Sequence, residues 1–378
     1  MEMMDGMMLD LGFTGDVQAV VDGGLNEQTN YLGTIDVQLT VDGDKLFRIP
    51  GSTVFLYLLN HHGGHPNDNV GSVQGVNNIE APVAATTLYE AWAEKTWWDD
   101  RLSLRFGLYD LNTEFYVNDA AGLFIHPAFG IGQDMAQAGL NGPSVFPYSS
   151  LAARVRAMPT DWSYVQFALL DGVPHDLDRP RGTHIDLDAK DGTLQVAEAG
   201  LLLPGAGDDA PTRGKLGFGG WRFTRPFDDV SAVDASGDPV RHNNYGIYVL
   251  ADYRVYAEPA RDDQGLTVFA RWGYGYDRVN QTDHAFEVGL TYLGLLPGRD
   301  SDQIGVGLSA ARNGDPFRGV NTGVNGDALR DFEFSYEVTY QAIINDFLSL
   351  QPVLQYVDNS DPGIDDAVVL GMRLQVAY

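Results

Sequence analysis

The sequence predicts an all-β fold: a single transmembrane antiparallel β-barrel of about 16 strands, with long extracellular loops and short periplasmic turns. Three observations carry that expectation. Segment after segment alternates apolar and polar residues with period two. No uncharged apolar run approaches the roughly 20 residues that a membrane-spanning helix needs, so a membrane role requires strands closed on themselves. The intervals between alternating segments are themselves alternately short and long.

From the amino terminus, strands are expected to begin near Met8, Glu27, Gly51, Val83, Arg101, Ser149, Asp161, Thr193, Thr212, Asn243, Gly265, Thr282, Asp302, Leu329, Phe347 and Ala367. In the fifth, Leu102, Leu104, Phe106 and Leu108 alternate with Arg101, Ser103, Arg105 and Gly107. In the twelfth, Phe286, Val288, Leu290 and Tyr292 alternate with Glu287, Gly289 and Thr291. The fourteenth sets Phe332, Phe334, Tyr336, Val338 and Tyr340 against Glu333, Ser335, Glu337, Thr339 and Gln341, a face too polar for a soluble core. The last runs Val368, Leu370, Met372, Leu374, Val376 and ends on Tyr378, a terminal aromatic of the kind that outer-membrane assembly machinery reads.

With the amino terminus on the periplasmic side, the even-to-odd connections should be the short ones, and residues 98–100, 158–160 and 344–346 are tight. The opposite set, residues 60–82, 110–148, 172–191, 225–242 and 312–328, is long and rich in Gly, Asn, Asp and Pro. Trp97, Trp98, Trp162, Tyr164, Tyr256 and Tyr340 fall near strand ends, where interfacial girdles belong. The chain reads as a single domain over residues 1–378, without coiled-coil heptad, helical repeat or low-complexity linker.

Composition narrows the function classes. Against 52 Asp plus Glu stand 24 Lys plus Arg, a net charge of -28 that repels phosphate backbones and excludes nucleic acid as a partner. The absence of cysteine rules out disulfides and thiolate catalysis, and suits a chain that crosses an oxidising compartment unfolded. The opening MEMMDGMMLD lacks a basic segment followed by an apolar run, so any signal peptide is expected to be gone already. A mean hydropathy of -0.18 fits a barrel, whose strands are only half apolar.

Residues 96–115, TWWDDRLSLRFGLYDLNTEF, together with residues 60–82, NHHGGHPNDNVGSVQGVNNIEAP, resemble the carbohydrate-selective porin OprB family. Residues 143–159, PSVFPYSSLAARVRAMP, and 162–176, WSYVQFALLDGVPHD, extend a likeness that runs along nearly the whole chain. The resemblance implies a 16-stranded outer-membrane porin passing monosaccharides and related small solutes, with a long loop folded inward to narrow the pore. Residues 110–148 match that loop by position. It also implies a narrow region lined by Arg and Glu, to which Arg105, Arg154, Arg156 and Glu198 correspond by strand position.

The residues themselves supply a matching chemistry. A sugar has hydroxyls around its rim and apolar CH faces, so a selective pore needs forked donors or acceptors beside aromatic surfaces. Inward parity offers Arg105, Arg154, Arg156, Arg271 and Arg373 as donors, and Glu90, Glu94, Glu198, Glu287, Glu333 and Glu337 as acceptors. Trp221, which shares the parity of Lys215, offers a stacking face, and the inward loop adds Glu114, Phe115, Tyr116, Phe124 and Phe129. Any one of these charges could equally serve only to solvate a water-filled lumen and pin strand register. Conduction demands weak binding and no catalytic group, so the expectation is passive diffusion without a required cofactor, not enzymatic turnover.

Expected partners are small carbohydrates and the surrounding outer-membrane lipid and lipopolysaccharide, with the chain acting as a monomer or weak homotrimer. The rival readings are a general or anion-selective porin, a structural or adhesive barrel with a plugged lumen, and, furthest off, a soluble β-rich protein. His61, His62 and His65 share one expected loop, where a solvated loop is set against zinc binding. Asp186, Asp188 and Asp191, in DLDAKDG, partly resemble a calcium loop but lack its bidentate Glu, and an acidic loop tip is the plainer reading. Gly217, Gly219 and Gly220 lie inside a strand pattern and suggest close packing rather than a phosphate cradle.

Overall fold

The computed structural model describes residues 2–176, 178–179, 181–185, 187–203, 213–259 and 261–378. Its long strands are β1 (Met7–Gly24), β2 (Thr29–Asp42), β3 (Ser52–Gly63), β4 (Ala85–Trp97), β5 (Leu102–Tyr109), β6 (Ser150–Thr160), β7 (Ser163–Asp171) and β8 (Thr193–Leu203). They continue as β9 (Gly214–Val233), β10 (Pro239–Glu258), β11 (Arg261–Gly275), β12 (Thr282–Leu293), β13 (Gln303–Asn313), β14 (Phe332–Asn345), β15 (Leu348–Asp358) and β16 (Asp365–Ala377). Each pairs antiparallel with the next, and β16 returns to β1 from Ala377↔Gly12 to Asp365↔Gly24, so the sheet closes into a barrel of 16 strands. Closure leaves no unpaired edge, the condition for a sheet to sit in hydrocarbon. A short extra strand, Glu2–Met4, folds back on Met7 and Met8.

The alternation in the sequence resolves into an outer and an inner face. Leu104, Phe106, Phe286, Val288, Leu290, Tyr336, Val338, Leu370 and Met372 are exposed on the outside, while Arg105, Glu287, Glu333, Glu337 and Arg373 point inward. The largest displacements from the expected strand starts are at β10, which begins at Pro239 rather than Asn243, and β11, which begins at Arg261 rather than Gly265. The expected start at Thr212 lies outside the described residues.

Two expectations are corrected. Residues 225–242 are not a long irregular loop: β9 and β10 extend through most of them and leave only a tight connection over residues 234–238. The outward side chains turn polar there, as at Thr224 and Asp228, because the hairpin leaves the hydrocarbon, and Pro226 is accommodated at a break in register. Second, the interior is not polar all round. Leu170, Leu194, Val196, Trp221, Phe223, Tyr248 and Leu250 form an apolar inner wall that packs against Phe115, Tyr116 and Met135 of the loop after β5. A wall covered by protein needs apolar contacts, whereas one facing water does not.

Gly217 and Gly219 serve that packing. A Cβ on Gly219 would fall 2.2 Å from the Tyr248 ring, so only glycine lets that tyrosine lie across β9. Tyr248 in turn stacks on Tyr116 with ring centroids 3.9 Å apart.

Candidate functional site

The segment 110–148 leaves β5 and crosses the barrel interior. Its root is set by Asp110, whose side chain accepts from Asn112 N at 2.8 Å and Tyr89 OH at 2.6 Å. Burial pushes the Asp110 carboxyl up to about 6. Beyond this turn, inward carboxylates of the wall receive the loop's amides. Glu198 on β8 accepts from Tyr116 N at 2.9 Å and from the hydroxyls of Tyr164 and Tyr248, each at 2.7 Å. Asp252 on β10 accepts from Asn118 Nδ2 and from the amides of Asp119 and Ala120. Glu337 on β14 accepts from Ile125 N at 2.8 Å and His126 N at 2.7 Å. Burial holds the His126 imidazole down to about 3.

Arg271 on β11 supplies the opposite polarity. It pairs with Glu287 at 2.9 Å and donates to the carbonyls of Tyr116, Gly130 and Ala128. Both side chains of the pair have 0% exposure; Arg271 engages Glu287 Oε2, while Glu287 Oε1 is buried without a hydrogen-bond partner. Nearby, burial and the proximity of Glu287 push Asp134 up to about 7. The loop after β3 is held in the same manner: Glu333 accepts from Ser72 Oγ at 2.6 Å, Val73 N at 3.0 Å and Gln74 N at 3.2 Å.

The two loops leave a polar passage beside β2–β5. On β5, Arg105 donates to Glu94 at 2.6 Å and lies 3.6 Å from Glu114. Its guanidinium is 3.8 Å from the Trp92 ring centroid, and Trp92 stacks on Phe55 at 5.0 Å. Arg154 grips Glu114 with two bonds at 2.8 and 2.7 Å and reaches Glu94 at 3.2 Å. Two arginines thus share two carboxylates. Asp36, which receives the Tyr57 hydroxyl, faces the same space from β2. Arg373 pairs with Asp16 at 2.7 Å and also meets Asn78. At the loop end, a cavity of about 670 Å³ opens between His65, Asn67, Asn77, Glu80, Pro127 and Phe146. Burial pushes Glu80 up to about 7.

The expected lining residues therefore divide. Arg105, Glu114 and Arg156 remain partly accessible, and Arg156 lies 5.0 Å from the Tyr164 ring. Arg154, at 1% exposure, supports Glu114 from behind. Glu90 is buried at the root of the loop, where it accepts from Trp92 Nε1. Glu198, Arg271 and Glu287 are not open lining: they face inward as expected, but the loop covers them and uses them as anchors. Phe115 and Trp221, with Tyr116, Phe124 and Phe129, are buried in loop-to-wall packing and offer no stacking face. Tyr164 is likewise no girdle residue, since its ring points inward to Glu198.

Sequence reading missed Asp36, Phe55, Tyr57 and Trp92. The alternation of Thr34, Asp36, Gln38 and Thr40 with Ile35, Val37 and Leu39 is as plain as that along residues 332–341, and Trp92 shares the parity of Glu90 and Glu94.

The histidines do not converge. His61 and His62 lie on β3 rather than in a loop; His61 is buried, His62 bonds to Tyr31 and Asn60, and His65 lies 3.9 Å from Glu80. Asp186 lies outside the described residues; Asp188 accepts from Lys190 N, and Asp191 is 3.9 Å from Arg225. Among the described residues, no three metal-ligating side chains gather.

The chain is 26% identical to porin B of Pseudomonas aeruginosa across 97% of its own length and 87% of that protein. Its fold superimposes on the high-pH structure of Pseudomonas putida OprB with a TM-score of 0.88 at 22% identity, covering 99% of this chain and 94% of the other. The outer membrane channel DcaP of Acinetobacter baumannii matches with a TM-score of 0.59 at 11% identity, covering 99% and 98%. The family model for carbohydrate-selective porins, OprB family, matches residues 26–378. With that pattern running through to the last strand, this chain belongs to the carbohydrate-selective porin OprB family and is an outer-membrane channel for carbohydrate diffusion.

Proposed function

We propose that the passage beside β2–β5 favours monosaccharides and related small neutral solutes, which move down their own gradients. The observation that carries this reading is the inward stack of Phe55, Trp92 and Arg105 next to Glu94, Glu114 and Asp36. A flat apolar surface with hydrogen-bonding groups at its edge complements the CH face and hydroxyl rim of one sugar ring. Because Arg105 and Arg154 are balanced by Glu94 and Glu114, the passage lacks the surplus positive charge of an anion filter. Stacking on one face, without full enclosure, keeps binding weak enough for release.

The apolar outer belt supports outer-membrane lipid and lipopolysaccharide as surroundings, and a monomer or weak homotrimer is the assembly we propose. Osmotic swelling of proteoliposomes tests the transport reading, with glucose, a disaccharide, a neutral amino acid and small salts compared against empty liposomes. Faster passage of glucose is expected. Equal passage of all small solutes would make the channel a general porin, and absence of flux would make it a plugged barrel.

A further inference from the structure

The lipid-facing wall carries a groove of about 650 Å³ across β7–β10. Register explains its shape. In one cross-strand row, Phe167, Ala197, Gly220 and Ile247 are neighbours on the outward face. Ala197 and Gly220 form the floor between two bulky side chains. The row nearer the long loops holds Gln195, Arg222 and Tyr245.

Arg222 is exposed at this upper end, where β9 leaves the apolar belt. Its Nε donates to Gln195 Oε1 at 2.8 Å, which leaves the outer guanidinium nitrogens available. Among the described residues, no carboxylate pairs with it, although the chain carries 52 acidic side chains. An unpaired arginine directly above an apolar cleft in a bilayer-facing wall has the polarity of one lipid molecule: anionic head outward, hydrocarbon inward.

We propose that this groove holds a phosphorylated lipid of the outer leaflet, with an acyl chain over Ala197 and Gly220 and its phosphate on Arg222. The placement follows from the long-loop end facing outward. Arginine suits the task because its planar fork donates two parallel bonds to phosphate oxygens, and Gln195 orients that fork. The proposal rests on the outer-membrane reading and is independent of which solute the lumen passes.

The test is native mass spectrometry of the refolded full chain in neutral detergent, titrated separately with lipid A, phosphatidylglycerol, diacylglycerol and inorganic phosphate. Retention of one phosphorylated lipid per chain is expected, without comparable retention of diacylglycerol or phosphate alone. Arg222→Gln should weaken retention about tenfold, Arg222→Lys less so, and Ala197→Phe should weaken it by filling the floor. Both positions face away from the lumen, so glucose flux in proteoliposomes should be unchanged and also reports correct folding.

Equal retention by Arg222→Gln and the unaltered chain would overturn the proposal. So would diacylglycerol binding as tightly as the phosphorylated lipids, or phosphate binding as tightly without an acyl chain. Chain dimers that vanish in Ala197→Phe would assign the groove to a second copy of the protein instead.

Discussion

Arg271 shows why inward parity and pore lining differ. Among the described residues it alone hydrogen-bonds the Glu287 carboxylate, and it holds three loop carbonyls at once. Arg271→Met should cost about 3–5 kcal/mol, because it leaves a buried carboxylate uncompensated. The expected result is a loosened loop, read as a larger single-channel conductance and faster disaccharide flux. Adding Glu287→Leu should restore part of the stability, since an apolar pair removes the orphaned charge but leaves the three loop carbonyls without their donor. Asp134 adds a pH dependence. Its folded value near 7 lies above the ordinary 3.8, so its protonated form favours the docked loop. That contribution is complete below 3.8 and is lost as the pH rises through about 7. Amides of residues 132–137 should therefore be better protected from hydrogen exchange below pH 7 than above it, after correction for intrinsic rates, and Asp134→Asn should remove the difference. At this scale the sequence showed the face each arginine and glutamate occupies. It did not show which ones a loop would cover, because Glu198 meets Tyr116 and Glu337 meets Ile125 only through contacts distant in the chain.

The two inward loops are held by separate carboxylates, so they should loosen separately. Glu333 holds residues 72–74 and Glu337 holds residues 125–126. Glu337→Gln removes the charge that strengthens two amide bonds and should weaken local docking by about 1–3 kcal/mol. Hydrogen exchange should then accelerate at Ile125 and His126 while remaining unchanged at Val73 and Gln74; acceleration of both loops together would show that they are one cooperative unit. Strand positions were largely legible because period two repeats wherever one face meets lipid. The signal failed where its cause was absent. Above Thr224, β9 no longer faces hydrocarbon, so its polar residues read as loop although the ladder continues to Asp228↔Arg241. Along β8 and β9 the inner face packs against a loop, so Val196, Trp221 and Phe223 are apolar where a water-facing strand would be polar.

Across the whole molecule, the barrel separates three environments: an apolar outer belt, an apolar half-interior sealed by the loop after β5, and a polar passage beside β2–β5. The closed sheet needs the first, the loop needs the second, and the third is the route proposed for the solute. Family membership establishes carbohydrate diffusion, while the lining of the passage gives a physical basis for solute preference. That claim is tested most directly by adding glucose to single channels in a planar bilayer and comparing the unaltered chain with Trp92→Ala. The account predicts that glucose transiently reduces ion current in the unaltered channel, and that Trp92→Ala keeps the open conductance near its original value but loses most of the block. Undiminished glucose block in correctly folded Trp92→Ala channels would contradict it.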